Sequence, residues 1–175
     1  MYEIEAKVRI DDLAAVRKRL AEHNAIPACE ESQIDVYYNA PHRDFAATDE
    51  ALRVRYAGDG PEITYKGPRL ASSGMKARRE ITVGVDSGER FEEVLAFLGF
   101  SRVAAVVKRR EEYHWQGATI ALDSVEGLGN FVEIEVMTEG DRDAAQAHIH
   151  ELERMLEVQG THITDSYLEL IMAKR

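Results

Sequence analysis

The chain is poor in the residues that covalent or metal staples need. Its single cysteine, Cys29, in 175 residues cannot close an intramolecular disulfide, and no cysteine cluster is present to hold zinc. Cys29 reads as a bystander near a helix–strand junction. With four prolines, no low-complexity tract and no solenoid-like repeat, residues 1–175 read as one domain, long enough for a substantial core. No apolar run is long enough to span a membrane, and the amino terminus enters a charged strand at once. A soluble cytoplasmic protein without a membrane partner is therefore expected. A net charge of −10 argues against nucleic acid as a partner but leaves room for a local basic cavity. The sequence does not set the oligomeric state; a homodimer is compatible with it.

What the chain has in quantity is alternation. In Glu3-Ile4-Glu5-Ala6-Lys7-Val8-Arg9-Ile10, a strand would put Glu3, Glu5, Lys7 and Arg9 on one face and the apolar residues on the other. Carboxylates at i and i+2 sit about 7 Å apart along a strand, close enough for two Glu side chains to converge on a metal ion. For one strand, a solvent face explains such a pattern equally well.

The pattern recurs. Strands are expected over 33–38, 51–56, 62–66, 76–83, 103–115, 118–124 and 131–137, making eight with the first. On one face of each fall Asp35; Arg53 and Arg55; Glu62 and Lys66; Lys76, Arg78 and Glu80; Lys108 and Arg110; Asp123; and Glu133 and Glu135. Helices are expected from Asp11 or Asp12, with Pro27 helping to end the segment; from Asp86 or Ser87, with a stripe of Phe91, Val94, Leu95 and Leu98; and from Asp141, with a stripe from Ala145 to Leu156. A last short element spans about 165–172. His148 and His150 read as helix-surface residues rather than metal ligands.

Basic residues dominate the third to sixth strands of an acidic chain. An antiparallel barrel accounts for this if its apolar faces point outward, under helices, and its charged faces line a lumen. A lumen crowded with cations is costly unless a polyanion enters it. A metal-bound polyphosphate would satisfy both the cations and the two glutamate pairs. No Ser/His/Asp or Cys nucleophile set is visible.

The ordered set resembles the CYTH family of triphosphate tunnel metalloenzymes, named for class IV (CyaB-type) adenylyl cyclase and thiamine triphosphatase. Its E-x-E-x-K signature is matched by Glu3-Ile4-Glu5-Ala6-Lys7, its R-x-R pair by Arg53 and Arg55, and the following lysine by Lys66. Its K-x-R-x-E run is matched by Lys76, Arg78 and Glu80, a second basic pair by Lys108 and Arg110, and its final block by Asp123 to Glu135. The resemblance spans essentially the whole chain. It implies an α+β fold: an eight-stranded antiparallel β-barrel, or tunnel, with a charged lumen and flanking helices.

It also implies Mg²⁺ or Mn²⁺ as cofactor, held by Glu3, Glu5, Glu133 and Glu135, with Glu80 and Asp123 either orienting the basic residues or holding a second metal. Lys7, Arg53, Arg55, Lys66, Lys76, Arg78, Lys108 and Arg110 would bind a small-molecule triphosphate. Glu5, Glu135 and Lys7 would be the catalytic residues. The segments Gln33–Asn39, Arg43–Phe45 and Thr48–Arg53 look like the cyclase branch, which would convert ATP to cyclic AMP and pyrophosphate. The alternative is a hydrolase of inorganic triphosphate, thiamine triphosphate or a nucleoside triphosphate on the same site. A third reading is a non-catalytic binder of organic phosphates.

Overall fold

The computed structural model describes residues 2–69 and 76–174, without the side chains of Tyr2, Lys76 and Ala77. The stretch from Gly67 to Gly74, which its Pro, Ser and Gly content marks as a loop, lies in large part outside the described residues. The strands are β1 (Tyr2–Ile10), β2 (Ile26–Asn39), β3 (Ala51–Tyr56), β4 (Glu62–Lys66), β5 (Lys76–Arg78), β6 (Glu80–Gly84), β7 (Ser101–Trp115), β8 (Ala118–Val125) and β9 (Gly129–Thr138). The helices are α1 (Leu13–Glu22), α2 (Gly88–Phe97), α3 (Arg142–Met155) and α4 (Tyr167–Met172).

All strand pairings are antiparallel, in the order β5-β1-β9-β8-β7-β2-β3-β4-β6. The two edge strands, β5 and β6, follow one another in the chain with only Arg79 between them. The edges are thus joined covalently, and the sheet wraps into a tunnel. The single strand expected over 76–83 is one strand broken at Arg79, where the apolar alternation also breaks, so the eight expected strands become nine hydrogen-bonded segments.

Outward-facing side chains build the core. Ile4, Ala6, Ile120, Leu122, Val132 and Ile134 pack under Val16 and Leu20 of α1 and under Ala145, Ile149 and Leu152 of α3. A second cluster seats Leu95 of α2 on Val36, Tyr38 and Val54. Burial is less even than the helical spacing suggests. Val94 and Leu98 of the expected α2 stripe are exposed, as are Ile81 and Val83 on the outer face of β6.

Two expected boundaries move. Asp12 caps α1 by accepting from the Ala14 amide, and the helix stops at Glu22, where Asn24 takes a left-handed φ of 55°. Pro27 does not end the helix. It lies near the start of β2, at a register shift between Pro27 and Cys29 where a proline removes no needed ladder bond. Cys29 is an exposed strand residue.

One end of the lumen is filled. Tyr37, Val106, Val125, Leu128 and Phe131 point inward and meet Tyr167 of α4, whose ring lies 5.0 Å from that of Phe131. Ser166 and Glu169 cap α4 reciprocally, and Arg69 holds Glu169 at 2.8 Å.

Candidate active site

The register of β1 against β9 sets Glu5 opposite Glu135 and Lys7 opposite Glu133. Because facing residues of an antiparallel pair share a face, four charged side chains of the first and last strands meet in the lumen. Carboxylate oxygens of Glu3, Glu5 and Glu135 all lie within 4.8 Å of one another. Burial pushes the Glu3 carboxyl up to about 7 against the pull of Lys66. Burial, then the charge of Glu3, pushes Glu135 up to about 8. Among the described residues, no Lys or Arg forms a salt bridge with Glu3 or Glu135. Crowding of like charges in a buried site holds the protons of Glu3 and Glu135 on. A hard divalent ion with oxygen ligands fits the donor set.

The basic residues stand around these carboxylates. Lys7 is buried and lies 3.4 Å from Glu5 and 3.1 Å from Glu133. Arg55 grips Asp35 through two bonds of 2.7 and 2.8 Å, with Arg53 at 3.6 Å from the same carboxylate. Burial would raise Asp35, but Arg53 and Arg55 outweigh it and hold the carboxyl well below its usual range. Arg53 also donates to Thr64 at 3.0 Å, while its Nε is buried without an acceptor. Lys66 meets Glu80 at 2.5 Å. Arg78 donates to the Gly67 and Asp49 carbonyls, both at 2.8 Å. The lumen is a cavity of about 700 Å³. Glu3, Glu5, Lys7, Arg53, Arg55, Lys66, Arg78, Glu80, Lys108, Arg110, Glu133 and Glu135 all line it.

Asp123 does not line the cavity. It is fully buried and accepts from Arg110 at 2.6 and 2.7 Å, Lys108 at 3.1 Å and Tyr167 at 2.8 Å. With four donors around it, Asp123 orients Lys108 and Arg110 rather than facing an incoming ion. Arg110 also pairs with Glu133. Burial, and then the neighbouring Arg110 charge, lowers Lys108 to about 8. The Lys76 side chain lies outside the described residues, although its backbone pairs with Glu5.

Sequence reasoning missed Asp35 and Tyr167 as parts of this site. Period-two alternation already put Asp35 on the inward face with Gln33 and Tyr37, so a signal existed. For Tyr167 there was none, because a short terminal helix carries no register. Its ring underlies the Lys7 ammonium at 4.2 Å and that of Lys108 at 5.1 Å.

The family model for the CYTH domain matches residues 1–167. The chain belongs to the CYTH family. A Methanocaldococcus jannaschii protein named "Putative adenylate cyclase MJ0240" is 35% identical to this CYTH chain over 173 residues, covering 97% of this chain and 98% of the relative. The solved structure of PH1819 from Pyrococcus horikoshii superposes with a TM-score of 0.84 at 38% identity, covering 99% of each chain. A Hippeastrum protein described as "Putative adenylyl cyclase HpAC1", with a dominant triphosphatase activity, shares the fold at a TM-score of 0.77 and 18% identity, covering 99% of this chain and 96% of its own. The curled antiparallel sheet with flanking helices is thus the CYTH fold, and an enzyme of this family is what the chain most resembles. Among the described residues, no helix is long and apolar enough to cross a membrane.

Proposed function

We propose that the protein processes a nucleoside triphosphate with Mg²⁺ or Mn²⁺, as an adenylyl cyclase that converts ATP to 3′,5′-cyclic AMP and pyrophosphate. The observation that carries this is the convergence of the carboxylates of Glu3, Glu5 and Glu135, two of them raised by burial, in a lumen otherwise ringed by Lys7, Arg53, Arg55, Lys66 and Arg78. Glu3, Glu5 and Glu135 would hold the divalent ion, with Glu133 supporting them through Lys7. The bound ion would supply Lewis acidity to phosphate oxygens and to the attacking hydroxyl.

The chain's own groups do the rest. Arg53 and Arg55 sit side by side with fork geometry suited to phosphate oxygens. The free Arg53 Nε offers a donor that the protein itself does not use. Lys7 and Lys66 neutralise charge as it develops on the leaving pyrophosphate. Asp35 and Asp123 hold the guanidinium groups in place before substrate arrives. In the cyclase step the ribose 3′-hydroxyl attacks the α-phosphorus and gives up its proton, and the bond from the α-phosphorus to the bridging oxygen breaks. A lumen of about 700 Å³ sits inside the range of about 300–1,000 Å³ usual for small-molecule sites and leaves room for a nucleoside beyond the phosphates.

A second reading keeps every residue and replaces the ribose hydroxyl with water at the terminal phosphorus, giving a triphosphatase. What favours it is that no lumen residue distinguishes the two nucleophiles, together with the dominant triphosphatase activity named for the Hippeastrum neighbour. Product analysis with Mg²⁺ or Mn²⁺ and either ATP or inorganic triphosphate separates the readings. Cyclic AMP with equimolar pyrophosphate establishes the cyclase. Orthophosphate without cyclic product establishes the hydrolase. Neither product, with triphosphate still raising the melting temperature, leaves a phosphate binder.

A further inference from the structure

Away from the cavity, three metal-competent side chains converge. His150 and Glu153 lie one turn apart on α3, and His162 follows on the turn towards α4. His150 Nδ1 is 3.1 Å from one Glu153 oxygen and His162 Nε2 is 2.7 Å from the other; all three donor atoms fall within 4.8 Å of one another. The two imidazoles stack at 5.6 Å with 18° between their planes, so both offer a nitrogen to the same carboxylate. Glu153 is buried, and among the described residues these imidazoles are its only salt-bridge partners. Its two oxygens meet imidazole nitrogens rather than a fixed cation, and the same three side chains can turn to a shared metal ion. None of the three residues lines the tunnel.

We infer that His150, Glu153 and His162 form a second metal site, selective for a late first-row divalent ion such as Zn²⁺, which fastens the segment between α3 and α4 to α3 and so holds it in place against β1. Two imidazoles and one carboxylate are a zinc-type donor set, with a fourth position open to solvent beside the half-exposed His150. At Zn–N distances of about 2.0–2.1 Å, tetrahedral ligand atoms stand about 3.3–3.5 Å apart, a separation the triad reaches by small rotamer shifts. Mg²⁺, which avoids imidazole, would be left to the lumen carboxylates.

The consequence lies in what His162 is attached to. It bridges to Val8 of β1, and the next amide, Ile163, donates to the Lys7 carbonyl at 2.8 Å. Just before it, a Cβ at Gly160 would come within 2.7 Å of Val8 Cγ1, so this turn lies flat on β1. Just after it come Ser166 and Tyr167, which line the tunnel. An ion on the triad therefore fixes the segment that positions the floor of the active site.

The test is Co²⁺ titration of the metal-free full chain in excess Mg²⁺, read by visible absorption, with Zn²⁺ as competitor. One equivalent should bind, Zn²⁺ should displace it, and Zn²⁺ should raise the melting temperature by several degrees. His162→Ala and His150→Ala should each weaken binding tenfold or more, and Glu5→Gln should leave it unchanged. His150 is exposed enough that its variant folds even if the other does not. Zn²⁺ should also slow hydrogen exchange at the Ile163 amide. Absence of saturable Co²⁺ binding overturns the site, as does binding that survives in the histidine variants and disappears in Glu5→Gln. Binding without protection of Ile163 overturns the staple.

Discussion

Two walls of the tunnel carry charge at equivalent inward positions and treat it in opposite ways. On the wall of β2, β3, β7 and β8, each buried carboxylate has its cations. Asp35 takes the Arg55 fork with Arg53 nearby, and Asp123 takes Arg110 and Lys108. On the wall of β1 and β9, Glu3, Glu5 and Glu135 crowd together, and burial raises Glu3 and Glu135. On the first wall the carboxylates serve as scaffold for the cations that face the lumen. On the second, Glu3 and Glu135 have no salt-bridge partner among the described residues, which supports the metal site proposed above. Perturbation alone does not mark a functional carboxylate, because Asp35 is strongly perturbed too. The sign of the shift separates the two.

Breaking the first wall should give the largest effect. Asp123→Asn takes the carboxylate from buried Lys108 and leaves buried Arg110 with Glu133 alone, and should cost about 3–5 kcal/mol, read from denaturant midpoints at unchanged m. A loss below about 1 kcal/mol would erase the distinction between the walls. On the second wall, Glu135→Gln should do the reverse. Above about pH 8, where Glu135 is ionised, the melting temperature of the metal-free protein should rise, because one crowded like charge is gone. The turnover rate should fall by at least about 100-fold, the upper end of what losing an outer partner of a metal costs, or about 2.7 kcal/mol. Smaller again is Arg53→Lys. It keeps the charge and removes the unpaired Nε, so triphosphate should bind about tenfold more weakly, at the low end of the roughly 1.5–3 kcal/mol of a charged hydrogen bond. Calorimetric titration with inorganic triphosphate and Mg²⁺ checks it.

Much of this contrast was legible in the sequence, because period-two alternation is a local rule. Glu3, Glu5, Lys7, Arg53, Arg55 and Lys66 each share a strand face with another charge, and the structure turns those faces inward. Which carboxylate meets which cation was not legible. Pairing of Asp123 with Arg110 depends on the register of β7 against β8, and that of Asp35 with Arg55 on β2 against β3. The break at Arg79 closes the barrel through chain continuity, whereas a sequence reads it only as one polar residue on an apolar face. Tyr167 and the His150–Glu153–His162 cluster depend on a chain reversal after α3, and helical spacing carries no information about where such a turn lands.

The smallest effect is also the one that tests both walls in a single experiment, the pH dependence of stability without metal. The Asp35 carboxyl is depressed in the folded state. Its contribution is therefore present above the unfolded value of about 3.9 and is lost as pH falls below it. Glu3 and Glu135 are raised, to about 7 and about 8, so the folded state holds their protons more tightly than the unfolded chain does. Their ionisation weakens the fold as pH rises from about 4.3 towards 8. The two walls together predict a stability maximum on the acid side of neutrality, with the alkaline slope belonging to β1 and β9. Saturating Mg²⁺ should flatten that alkaline slope, because the ion binds the ionised carboxylates of the folded state, and should leave the acid limb in place. Glu135→Gln should flatten it without Mg²⁺. An alkaline slope that persists unchanged in Glu135→Gln would mean that the crowding on this wall is relieved inside the protein itself, and the contrast between the walls would then carry no functional meaning.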